Sequence, residues 1–171
     1  PSPGRHGTHF FNWKTSDEIA WKQKYSIWMD WVKYFFDNGG TLVAGSDTAF
    51  IYALFGFALI RELELYQEAG IHPIDVIQIA TTNAHKCLRD EDRGHGLRQG
   101  APADIAIIDG NPLDNFKVMY GTGINIYGED GKTVTHGGGV RWTIKGGVVF
   151  DCKELLEDVA EYVESQGPKE P

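Results

Sequence analysis

The chain has 171 residues, 42% hydrophobic and 23% charged, with a net charge of −8. That is enough for one domain with its own core. No basic cluster accompanies the acidity, so nucleic acid is not an expected partner, because phosphates call for Lys and Arg gathered on one face. No apolar run approaches the length of a membrane span, so no membrane partner is expected either.

Residues 1–14 mix Pro, Gly, His and aromatics without periodicity and read as a loop. Thr15-Ser16-Asp17-Glu18 gives a cap residue and first-turn acids, the start of a helix. Trp21, Tyr25, Trp28, Val32 and Phe35 follow at spacings of four, three, four and three. That is one helix face, expected to pack in a core, with the lining of a substrate pocket as the other reading. Asn38-Gly39-Gly40 ends the helix. Thr41-Leu42-Val43-Ala44-Gly45 is then a short, β-branched apolar run. It predicts a buried strand of a parallel sheet, with Asp47 just past its C-terminal end. Ligands and chemistry gather at that edge in parallel α/β folds. Gly45 and Ser46 leave room around the Asp47 carboxylate, although an aspartate there also suits a simple cap.

A second helix is expected from about Phe57 to Ala69, with Gly70 as its stop, and a third from Pro73 to about Leu88. Glu62 and Glu64 read as a solvated or salt-bridged face, and residues 80–84 as packed helix. Residues 90–102 form a charged, glycine-rich connector. Asp104–Asp109 predicts a strand whose Asp104 bonds backbone, and Phe116–Tyr120 another short one. Residues 121–139 read as a polar surface excursion. Val140–Phe150 predicts a β-hairpin turning at Gly146-Gly147. An acidic amphipathic helix over about Glu154–Glu164 precedes a Pro-containing tail. The expected organisation is an α/β part over 1–89, sheet strands over 90–152, and a helix and tail over 153–171.

Cys87 and Cys152 are far apart and lack a CxxC partner, so no disulfide framework or Cys-rich zinc site is expected. A reducing, cytoplasmic setting is the corresponding expectation. The chain opens Pro-Ser-Pro without an initiator methionine or signal-like segment, which reads as a fragment or a processed chain. There is no P-loop, GxSxG elbow, HExxH or HxH pair. His6 and His9 are spaced to reach one metal, yet two ligands in a loop do not complete a zinc site. His72 reads as the residue leading into a helix and His85 as a boundary residue, whereas His95 and His136 fall in glycine-rich connectors.

A set of motifs in fixed order carries a resemblance. It comprises Leu42-Val43-Ala44-Gly45-Ser46-Asp47, Arg61-Glu62-Leu63-Glu64-Leu65, Glu68-Ala69-Gly70-Ile71-His72-Pro73 and Ile79-Ala80-Thr81-Thr82-Asn83-Ala84. It continues through Gly96-Leu97-Arg98-Gln99-Gly100-Ala101-Pro102-Ala103-Asp104-Ile105 and Asp109-Gly110-Asn111-Pro112-Leu113. Together these resemble the C-terminal portion of the metal-dependent amidohydrolase superfamily, in its imidazolonepropionase-like and prolidase-like members. The resemblance implies an α/β fold: the last part of a (β/α)₈ TIM-type barrel plus strands of a small β-sandwich. It implies one or two divalent ions, zinc foremost, and a small-molecule amide-type substrate. Asp47 matches the last-strand aspartate that binds metal and moves the proton of the attacking water. The other metal ligands of the family would lie before residue 1, because a full barrel needs about 250 residues. The implied partner is therefore the missing N-terminal part or another chain, with a homo-oligomer also open. Phe50 and Tyr52 are candidates to line the pocket. Cyclic-amide or ester hydrolysis is a second enzymatic reading, since one fold hosts many chemistries. A non-catalytic fragment that folds with a partner and holds no metal is the alternative of another class. By itself such a chain is expected to expose a large apolar surface.

Overall fold

The computed structural model describes residues 14–49, 53–89 and 96–167. The chain divides into two compact units, Pro1–Leu88 and Arg89–Pro171.

The described part of the first unit is helical. α1 (Thr15–Asp37) begins where the Lys14 N–H donates to the Asp17 carboxylate at 2.8 Å. It ends in a Schellman motif: Gly39 N–H donates to Phe36 C=O and Gly40 N–H to Phe35 C=O. Gly39 takes a φ of +84° there, which favours a residue without Cβ. α2 (Ala58–Glu68) ends the same way around Gly70, with φ +92°. Pro73 opens α3 (Pro73–Ala80) at its first turn, where a missing N–H costs nothing. The expected single helix to Leu88 is broken at Thr81 (φ −126°, ψ −90°), so that α4 (Thr82–Cys87) is separate. The Thr81 hydroxyl donates to Ile77 C=O at 2.6 Å, a side-chain alternative to the helical ladder. Ile60, Leu63, Ile71, Val76 and Ile79 from α2, α3 and their connection form the buried core.

α1 corrects an expectation. None of its residues is buried, and Trp28 is 60% exposed. Its aromatics instead meet one another along the helix, Trp31 stacking on Phe35 at 5.4 Å and meeting Trp28 edge-on at 6.5 Å. Tyr25 reaches Glu68 of α2, and partial burial followed by that carboxylate raises its phenol above the ordinary 10.0.

The described residues of the second unit form five short strands, a 3-10 turn and an α-helix. β1 (Ile105–Ile108), β4 (Val140–Lys145) and β5 (Val148–Asp151) form a three-stranded sheet in the order β1-β4-β5. β2 (Ile124–Tyr127) and β3 (Val134–Gly137) form a separate hairpin. Gly146 and Gly147 take φ +56° and +84° in the two-residue β4–β5 turn, the signature of type I′. α5 (Cys152–Ser165) follows directly on β5. Phe116 and Val118 are the buried apolar side chains among the described residues here.

Two more expectations change. Phe116–Met119 is a 3-10 turn rather than a strand, opened by the Asn115 side chain on Lys117 N–H. The supposed excursion over 121–139 contains the β2–β3 hairpin. Helix and sheet are thus mixed, as an α/β-type chain requires. All ladders among the described residues are antiparallel, and no barrel is formed by them.

Candidate functional site

Residues 41–47 do not form the predicted strand: they belong to no sheet among the described residues. A strand needs a neighbour to satisfy its backbone, and no described segment offers one. Helix side chains take that role. The Gly45 N–H donates to both oxygens of the Glu62 carboxylate, each at 3.0 Å. The Tyr66 hydroxyl donates to Val43 C=O at 3.0 Å, with a Glu62 oxygen a further 3.4 Å contact. The Asn83 amide donates to Leu42 C=O at 3.1 Å.

Glu62 and Tyr66 lie one turn apart on α2, so both face the segment together. Asn83 comes from α4, which the break at Thr81 sets apart from α3. Burial first, then the adjacent Glu62 charge, push the Tyr66 phenol up to about 12. It is therefore a neutral donor across the physiological range. These findings correct the reading of Glu62 as a solvated face and of Asn83 as plain helix packing. Glu64 does form the expected ion pair, with Arg61 at 3.6 Å.

Asp47 lies two residues beyond the last gripped amide. It is exposed, not facing a buried crevice at a strand end, and its φ of +46° is left-handed. Aspartate is among the residues that tolerate this region. Ala49, also left-handed at φ +79°, is less suited to it. The Ser46 and Thr48 hydroxyls, 2.6 Å apart, flank Asp47 and close the bend. Among the described residues, no hydrogen bond or ion pair holds the Asp47 carboxylate, so the cap role open to it in the sequence is not taken up. Phe50, Tyr52, His6, His9 and His95 lie outside the described residues.

Among the described residues, no three His, Cys, Asp or Glu side chains converge to hold a metal. His72 precedes Pro73 at the start of α3, as read from the sequence. His136 sits on β3, its ring nitrogens 3.0 Å from Asn125 Oδ1 and 2.9 Å from Thr122 C=O, and so ties the β2–β3 hairpin to the preceding turn. Cys87 and Cys152 are free thiols.

An open depression of about 510 Å³ lies in Arg89–Pro171, lined by Asn111, Asp114, Asn115, Asn125 and Tyr127 among others. Asn111 and Asn115 spend their side chains on local turns, and Asn125 on His136. The rest of the lining is largely apolar, from Val118, Ile124, Ile126 and Tyr127, and presents no convergent chemistry.

No described helix is long and apolar enough to cross a membrane. No family model, curated protein or solved structure matches the chain.

Proposed function

We propose that this chain is the C-terminal portion of a metal-dependent amidohydrolase that cleaves C–N bonds in small amide, cyclic-amide or dipeptide-like substrates. The observation that carries the reading is the contrast at residues 42–47. Three helix-borne side chains grip the backbone, while the carboxylate at the segment's end is exposed and, among the described residues, ungripped. Holding a reacting group by its supports and leaving it open is the arrangement that catalysis requires.

Asp47 suits one position of a hard-donor set, but a single carboxylate does not complete a metal site. In this reading the remaining ligands, the barrel strands and the cover for the aromatic face of α1 come from a preceding part of a longer chain or from another chain. A divalent ion, zinc in the first instance, supplies a bound water of lowered pKa and a polarised carbonyl when present. The part assigned to Asp47 is to take a proton from the attacking water and return it to the leaving nitrogen. Ser46 and Thr48 fix the bend that presents it. The free thiols fit a cytoplasmic setting.

The test is metal analysis and turnover of small amides for the complete protein and for the 171-residue chain. The proposal expects one or two divalent ions per complete protein, with activity, and neither in the short chain. Replacing Asp47 with Asn should lower metal content less than activity. A complete protein without metal or turnover would overturn the hydrolase reading. Stoichiometric metal and turnover in the short chain would overturn the placement of the other ligands elsewhere.

A further inference from the structure

We propose that Glu62, Tyr66 and Asn83 are positioning residues that set the place of Asp47 by acting as the missing strand neighbours of residues 42–45. The inference rests on the hydrolase reading for the purpose of Asp47, but not for the geometry of the clamp.

Each contact joins distant parts of the chain: Glu62 is 17 residues from Gly45, Tyr66 is 23 from Val43, and Asn83 is 41 from Leu42. They therefore cannot arise from a local turn. They are of both kinds: Asn83 and Tyr66 donate to the Leu42 and Val43 carbonyls, and Glu62 accepts from the Gly45 amide, so the segment's backbone acceptors and a backbone donor are both met. The Gly45 contact is charge-assisted and shared over both carboxylate oxygens, which makes it the strongest of the set. It is also the nearest to Asp47. Slack at Gly45 passes directly through Ser46 to the Asp47 bend, and a displacement near 1 Å at a catalytic group costs on the order of 10² in rate.

Substitutions separate the clamp from general packing. Glu62→Ala removes the acceptor. Glu62→Gln keeps the shape and one acceptor oxygen but loses the charge. Tyr66→Phe removes the hydroxyl that donates to Val43 C=O and contacts Glu62, and Asn83→Ala removes the donor to Leu42. None of these side chains belongs to the buried core of Ile60, Leu63, Ile71, Val76 and Ile79.

The experiment is amide hydrogen exchange by NMR on the 171-residue chain and these variants, with kcat and KM of the complete protein as a second readout. The expected result is a Gly45 amide protected at least tenfold over an open-chain glycine, and that protection lost in Glu62→Ala and reduced in Glu62→Gln. Tyr66→Phe and Asn83→Ala should shift the Asp47 backbone signals while Val76 and Ile79 keep their protection. In the complete protein Glu62→Gln should lower kcat at least tenfold with KM nearly unchanged. An unprotected wild-type Gly45 amide would overturn the proposal. So would Gly45 and Asp47 signals unmoved in Glu62→Ala, equal loss of protection at Val76 and Ile79, or wild-type kcat in Glu62→Gln. The two readings fail separately: a complete protein without metal or turnover beside a freed Gly45 in Glu62→Ala removes the hydrolase and leaves the clamp.

Discussion

Three aspartates of one unit and Asp47 of the other are used in opposite ways. In Arg89–Pro171, Asp104, Asp130 and Asp151 close the fold's own turns. Asp104 pairs with Lys145 and accepts from Gly146 N–H at 2.8 Å, tying the β4–β5 turn to the start of β1. Asp130 accepts from Lys132 N–H, Thr133 N–H and the Thr133 hydroxyl within the β2–β3 loop. Asp151 caps α5 through Lys153 and Glu154 N–H and also pairs with Arg141. Arg141 in turn lies over the Trp142 ring at 4.6 Å. In Pro1–Leu88 the support comes from Glu62, while Asp47 closes nothing among the described residues. A carboxylate that completes its own turn is committed to structure. One held at the end of a segment that others support is available for chemistry.

The comparison can be broken at several points. The largest stability effect belongs to the second unit's core. Phe116→Ala should cost about 3–5 kcal/mol in denaturant unfolding followed on unit-two signals, because a ring 2% exposed leaves a cavity. A loss below about 1 kcal/mol would mean that the unit is not organised around it. Next comes the type I′ turn. Gly147→Ala forces a Cβ into φ +84° and should cost about 1–2 kcal/mol, read as a lowered unfolding midpoint.

Tyr66 offers a smaller, pH-dependent break. Its phenol is raised in the fold, so its contribution is complete below about 10 and lost as pH rises through about 12. Absorbance titration should show one tyrosine ionising last, and Tyr66→Phe should abolish that phase. Asp130 gives the mirror case at acid pH. The Thr133 hydroxyl and the loop amides lower its carboxyl from 3.8 to about 2. Its contribution is present above the ordinary value and lost as pH falls through about 2. The Thr133 amide shift should follow that midpoint, and a midpoint near 4 would contradict the capped loop.

Much of this was readable in the sequence where the signal is local. Asn38-Gly39 and Gly70 stop their helices, Pro73 starts one, and Gly146-Gly147 turns a hairpin. Asp104 bonds backbone, as a strand-starting aspartate was expected to do. Composition concealed the β2–β3 hairpin, because the glycines around it resemble a loop. The alternation of Ile124 and Ile126 with Asn125 and Tyr127 was the signal available. The run at 41–45 has strand chemistry but no described strand neighbour, so pattern alone mispredicts it. The α1 stripe has core periodicity, yet burial depends on what packs against it. The clamp had no sequence signal at all. Its members are 17 to 41 residues from their partners, and nothing short of the fold brings them together.

The central claim is that Asp47 is spared for chemistry rather than spent on the fold. Asp47→Asn tests it most directly, because asparagine also tolerates the left-handed backbone and matches the shape of the carboxylate. Turnover and thermal unfolding of the complete protein are measured side by side. The predicted result is turnover lowered by a factor on the order of 10² or more, the scale of a lost general base, with an unchanged unfolding midpoint. Wild-type turnover in Asp47→Asn, or a loss of activity that only tracks a loss of fold, would contradict it.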